Sequence, residues 1–209
     1  MTDQTNDPFG LPVGTVVNAS LFERDTFVDA TGNSGKPSYK VEIAFERGAL
    51  DNVADALMAA ADAEWGEGAG DDDTLIWPIL DGDKLAEKRE KRGKNGDAYK
   101  GKDVIRANTM FNADGKDAPG GISLYHPDLS KMDPVVDQKE IYGGIKGSAG
   151  VSIGTYHDDR FDRNGLKFYL SAFQKTEDGE RIGGTADHSG LFTAVGRKDG
   201  ETTKRTRKG

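Results

Sequence analysis

Residues 36–46 read Lys36-Pro37-Ser38-Tyr39-Lys40-Val41-Glu42-Ile43-Ala44-Phe45-Glu46. From Tyr39 onward, Tyr39, Val41, Ile43 and Phe45 alternate with Lys40, Glu42, Ala44 and Glu46. A period of two places successive side chains on opposite faces of a strand, so one face is buried and the other is wet. Upstream, Val13 to Phe22 reads as a second strand, with Val17, Ala19 and Leu21 on one face. The turn cluster Thr31 to Lys36 joins the two. Met1 to Pro12 is polar and reads as a flexible arm.

Downstream, Ala49 to Trp65 is the one convincing helix. Leu50, Val53, Leu57 and Ala61 recur at spacings that align on one side. Alanine supports the helix by propensity, and Gly66, Gly68 and Gly70 stop it. Asp71 to Asp73 reads as a solvated loop, and Leu75 to Leu80 as a short apolar segment with Trp77 and Pro78. Further strands are expected at Val104 to Phe111, Gly121 to His126, Ser148 to His157 and Leu166 to Lys175. From Ala186 the periodicity is lost, and 186–209 reads as a disordered basic tail. Residues 187–209 hold six basic and three acidic side chains.

The order strand, strand, helix, loop, four strands is not an alternating β–α pattern. It predicts a mainly β domain over 13–185: an OB-fold-like barrel of five to seven strands with one inserted helix, between disordered termini.

The 209 residues carry a net charge of −8 and contain no cysteine. Disulfides, Cys zinc sites and Cys nucleophiles are therefore excluded together. No apolar run approaches the ~18 residues of a membrane span, and the acidic first residues do not form a signal peptide. An acidic chain does not suit a general duplex binder. It does not exclude a single-strand binder, which needs only one positive groove.

Such a groove has a candidate source. Lys84 to Lys102 holds eight Lys or Arg against three acids, and reads as a basic, Gly-containing loop ahead of the strand at Val104. Tyr99, among Lys94, Lys100 and Lys102, is placed there to stack a base while the lysines meet phosphate. A plain solvated surface loop is the other reading of such a run. Arg106, between Ile105 and Ala107, points away from both, into a groove or into a surface ion pair. In the last strand Lys167, Tyr169, Ser171, Phe173 and Lys175 share one parity, and Leu166, Phe168, Leu170 and Ala172 the other. The second set reads as core. The first interleaves charge with aromatics, as a single-strand platform does, though Phe173 could equally fill the barrel end. Lys40, on the wet face of its strand, joins the candidates. Tyr125 and Tyr156 stack bases or pack half-buried. Trp77 is core or platform. The glycines beside Tyr142 and Lys146 allow a barrel bend or a close ligand approach.

The succession KPSYKVEIAFE, a helix ending in Trp65, PILDGD, DAYKGKDVIRANT, EIYGGIKGSAGVSI and SAFQKTEDGERIGG resembles the phage-encoded single-stranded DNA-binding proteins with an OB-fold, across about Val13 to Gly184. The resemblance implies a non-enzymatic homodimer that coats single-stranded DNA during phage replication and recombination in the bacterial host cytoplasm. It carries over Trp77, Tyr99, Arg106, Tyr142 and Lys146 as groove or supporting residues. It implies no cofactor and no membrane. Replication proteins of this type often end in an acidic, partner-recruiting tail; here the tail is basic. Duplex DNA through that tail and phage replication proteins are the further candidate partners.

The sequence admits two other functions. One is a metal-dependent nuclease using Asp81, Asp83, Asp158 or Asp159, whose positions turn chemistry also explains. The other is a virion or adaptor protein. His126, His157 and His188 lack ligand spacing. Neither a G-x-S-x-G elbow nor a phosphate-binding G-x-x-x-x-G-K-[ST] loop is present.

Overall fold

The computed structural model describes residues 7–26, 35, 37–109, 122–159 and 161–182. The tail expected at 186–209 lies outside these, as does the tip of the turn after β2. The elements are β1 (Phe9–Gly10), β2 (Gly14–Asp25), β3 (Ser38–Glu46), α1 (Asp51–Trp65), β4 (Ile79–Asp81), α2 (Gly82–Glu90), β5 (Lys102–Asn108), β6 (Ser123–Tyr125), β7 (Lys146–Asp158) and β8 (Arg163–Glu177).

Five of these strands close on themselves. β2 pairs with β3 and β3 with β5, both antiparallel; β5 meets β8 in parallel; β8 pairs with β7, and β7 returns to β2. This is the ring order of an OB barrel, with one parallel contact where the third strand meets the fifth. β1, β4 and β6 extend the sheet beside β7, β5 and β8. The chain expected to be a free arm up to Pro12 is thus paired from Phe9, and Leu11 is buried.

The alternation in β3 is realised: Val41, Ile43 and Phe45 fill the barrel with Val16, Ile105, Val151 and Phe168. α1 adds Val53, Leu57 and Ala61 to the same core. It ends at Gly66, whose φ of 104° suits glycine.

Two strands depart from simple parity, each at a register shift. In β2 the shift lies between Val16 and Asn18. It turns Val17 outward, away from the Val16 and Leu21 core, so Val17 does not share a face with Leu21. In β8, Gly150 pairs with Ala172 but Val151 pairs with Leu170, leaving Ser171 as an extra residue. A one-residue bulge reverses which side chains face inward. Phe173 is therefore core rather than platform, and Lys175 points inward with it.

Lys175 is only 4% exposed. A buried lysine needs partners, and its Nζ lies 2.5 Å from Glu140 Oε2 and 2.8 Å from Asp178 Oδ1. Burial pushes the ammonium pKa down, and the two carboxylates push it up by more, so the net shift is upward. Asp178 is held below its ordinary range by Lys175 first and then by the Tyr142 hydroxyl. The sign follows for both groups. The Asp178 contribution is present above the usual carboxylate pKa of about 4 and is lost as pH falls through and below it. The Lys175 contribution is present below the usual lysine pKa and is lost at strongly alkaline pH. Asp178→Asn should thus melt below the parent protein near neutrality, and thermal melts of the two should converge under acid.

The largest departure from the sequence reading is Lys84–Lys102. Its first half is helix α2. Asp81 Oδ1 accepts from the Asp83 and Lys84 amides at 2.9 and 3.4 Å, capping the helix N-terminus. Ala86 packs on Val17, Ala44, Val104 and Tyr99 in a second, smaller core outside the barrel wall.

Candidate nucleic-acid interface

α2 covers only part of the outer face of β3 and β5. Beyond it the face opens into two adjoining cavities of about 580 and 570 Å³, which share Ser38, Arg106 and Asn108. Together they form a groove across β3, β5 and β8.

At the β7–β8 end, Gly154 pairs with Lys167 and Tyr156 with Gly165. A Cβ on Gly154 would lie 2.2 Å from Cε2 of Tyr169, and one on Gly165 would lie 2.5 Å from Cζ of Tyr156. Each tyrosine therefore lies across a glycine of the neighbouring strand, which no larger residue would permit. Lys167 is held between them, its Nζ 5.1 Å from the Tyr156 ring centre and 4.8 Å from that of Tyr169. Such cation–ring contacts fix the ammonium without neutralising it. Trp77 lines the same end, leaning on the core. It is set there because Ile76 bonds β8 on both sides: its N–H donates to the Asn164 carbonyl and its carbonyl accepts from the Leu166 N–H, each at 2.9 Å.

In the middle stand Arg106 and Lys40. Arg106 Nε donates to Glu42 Oε1 at 2.5 Å, and Lys40 pairs with Asp25. At the far end α2 contributes Lys88 and Arg89, and the turn that follows it contributes Arg92. Lys88 and Arg92 have no carboxylate partner among the described residues. The groove thus runs from an aromatic end with one cation to an end rich in cations. This arrangement can stack bases at one end and neutralise phosphates at the other.

Seven residues singled out from the sequence line this groove: Lys40, Trp77, Tyr99, Arg106, Tyr156, Lys167 and Tyr169. The remainder do not present themselves to it. Tyr99 corrects its expectation. It forms part of the groove floor but is only 1% exposed, with its hydroxyl donating to Glu42 Oε2 at 3.1 Å and Arg89 4.8 Å over its ring. Burial first, then the Glu42 carboxylate, pushes its pKa up to about 12. A ring so enclosed cannot receive a base. Lys100 is held by Glu90 at 2.8 Å and Asp97 at 2.9 Å, and Lys102 by Glu46. Tyr142 donates to Asp178 Oδ1 at 2.9 Å beneath Arg181, and Lys146 bonds Thr15 Oγ1 at 2.6 Å, both outside the groove. Tyr125 is half-buried in β6.

Sequence reasoning missed Asn108, Lys88 and Arg92. The available signal was Asp81 as a helix cap, which would have turned the basic run into a helix with a definite face. Two of the four carboxylates named for a nuclease, Asp81 and Asp83, have structural work. Asp81 caps α2, and Asp83 Oδ1 accepts from the Gly101 amide at 2.8 Å while Arg47 meets its other oxygen at 2.7 Å. Among the described residues, no group of three or more His, Asp or Glu is placed to hold a metal ion.

The family model described as Enterobacter phage Enc34, ssDNA-binding protein, matches residues 18–203. The chain belongs to the Enc34 ssDNA-binding protein family. No curated protein sequence matches it. Among solved structures, this Enc34-family chain resembles the single-stranded DNA-binding protein from bacteriophage Enc34, at 16% identity and a TM-score of 0.58 over 87% of each chain. The same phage protein in complex with ssDNA gives 17% identity and a TM-score of 0.59, covering 83% of this chain and 88% of that one. Gp2.5, a single-stranded DNA-binding protein encoded by bacteriophage T7, gives 16% and 0.53 over 95% and 99%. At these identities the likeness to solved structures is one of fold, and it confirms the barrel expected from the strand order.

Proposed function

We propose that this Enc34-family chain binds single-stranded DNA in the groove, without sequence preference and without chemistry. The carrying observation is Lys167 clamped between Tyr156 and Tyr169 on their glycine seats, in line with Arg106 and the cations of α2. Ring faces accept any base, and lysines and arginines accept phosphate, so the pattern is sequence-tolerant. Holding unpaired strands shifts duplex DNA toward melting. Family membership supports a role in coating single strands during phage DNA replication and recombination inside the bacterial host. A homodimer is part of the same proposal.

The test is fluorescence anisotropy of a labelled dT oligonucleotide at two salt concentrations, beside a matched duplex and a chain truncated after Gly184. Salt-sensitive, strand-selective binding that survives truncation is expected. Absence of binding would end this reading, and loss only on truncation would move the site to the basic tail.

The same assay ranks the cations. Lys88→Ala and Arg92→Ala should each weaken binding and flatten the salt dependence by up to about one unit of slope. Lys100→Ala and Lys102→Ala should leave the slope unchanged, because carboxylates already hold both ammonium groups.

A further inference from the structure

Arg106 stands where the two cavities of the groove meet. It lies two residues before Asn108 and so shares a face of β5 with it. Asn108 in turn pairs with Tyr169 of β8. Arg106 therefore continues the row that Tyr156 and Tyr169 begin. Trp77, Pro78 and Leu80 line the same cavity. The Arg106 side chain is 51% exposed, and Glu42, its register partner across β3 and β5, is its one carboxylate partner among the described residues. The bond enters at Nε, 2.5 Å from Glu42 Oε1. It thus takes an edge of the guanidinium plane and no face. The other oxygen, Oε2, accepts from the hydroxyl of the buried Tyr99 at 3.1 Å. The carboxylate is pinned from both sides, and its own side chain is only 14% exposed.

We infer that Arg106 is a stacking surface for a base, held by Glu42 as its positioning residue, and is not a phosphate contact. The inference rests on the single-strand reading of the groove and assigns one of its cations to bases. A guanidinium is flat and takes a base on its face as an aromatic ring does. A cation balanced by a fixed carboxylate has little counterion to release, and the same carboxylate repels an incoming phosphate. Every base has a face, so such a surface adds affinity without sequence preference. In a duplex those faces are already covered by neighbouring bases, so it adds affinity only for single strands. The row of faces is then Tyr156, Tyr169 and Arg106. Phosphates are left to Lys167 and, at the far end, to Lys88 and Arg92, which no carboxylate holds among the described residues.

Anisotropy titrations of a labelled dT oligonucleotide at several salt concentrations test this with four variants. Arg106→Lys keeps the charge and loses the plane. Arg106→Ala/Glu42→Gln removes the pair together and leaves the net charge of the groove unchanged. Glu42→Gln alone keeps Arg106 and an acceptor for its Nε, and unbalances its charge. Lys167→Ala is the groove control. Unchanged melting temperatures show that the variants are folded, and Arg106→Lys decides if the double variant is destabilised. Arg106→Lys and the double variant should each bind about tenfold more weakly than the parent, with the parent's salt slope. Glu42→Gln should steepen the slope by up to about one unit. Full affinity in Arg106→Lys, or a flattened slope in the double variant, would make Arg106 a phosphate contact and overturn the inference. A Glu42→Gln slope equal to the parent's would overturn it as well. If the parent binds no oligonucleotide, or Lys167→Ala binds as tightly as the parent, the groove reading fails first. A parent that binds through Lys167, beside an Arg106→Lys variant of full affinity, removes the stacking role alone.

Discussion

Replacing Tyr156 and Tyr169 together by alanine should weaken binding of a dT oligonucleotide by about 2–4 kcal/mol, roughly thirty- to a thousandfold, and leave its salt dependence nearly unchanged. Each ring offers one stacking surface, and neither carries charge that would release counterions from DNA. The ammonium between them does, so Lys167→Ala should differ in kind and flatten the slope. Gly154→Ala is the sharper companion. Its Cβ would fall 2.2 Å from the Tyr169 ring, which displaces that ring without removing it. Anisotropy titrations at several salt concentrations check all three. A double tyrosine variant whose slope drops together with its affinity would show that these rings organise cations rather than stack bases.

Tyr99→Ala should destabilise the fold by about 3–5 kcal/mol, the cost of removing a large buried aromatic side chain. Urea unfolding is the measurement. Tyr99 is among the largest fully buried side chains and sits at the centre of the cluster that fixes α2 to the barrel wall. Tyr99→Phe keeps the packing and loses only the hydrogen bond to Glu42, so about 1 kcal/mol is expected. A Tyr99→Ala chain as stable as the parent but deficient in DNA binding would restore the role its sequence context suggests.

The contrast between Tyr99 and Tyr156 shows what was legible. Both stand among polar neighbours, and local composition cannot tell a ring under a helix from a ring on an open strand. β3, β5 and β7 were legible because a sheet with one wet face imposes a period of two. The inward set of β8 was legible up to Leu170. Past Ser171 the bulge reverses the pattern, and a bulge leaves no mark in composition. α2 was hidden by its charge: Ala86 and Leu85 are nearly all of its buried surface, too little to show as periodicity. Glycine carried more than its turns suggested. The use of Gly154 and Gly165 as seats for Tyr169 and Tyr156 depends on a cross-strand register that only the folded barrel defines.

The closing of the ring sets an order of events during synthesis. Lys146 bonds Thr15 across 131 residues of sequence, and β8 is the strand that joins β5 to β7. Contacts so distant in sequence form slowly. Until 146–177 emerges, β2 and β5 lack partners along the edges that β7 and β8 will cover, and the barrel interior stays open to solvent. Unpaired strand edges of this kind invite association between chains. Lys167 and Tyr169 arrive on the strand that completes the ring. A chain still being translated therefore has no finished groove with which to seize its own messenger, and a large population of half-made copies would be a hazard of aggregation rather than of misplaced nucleic-acid binding.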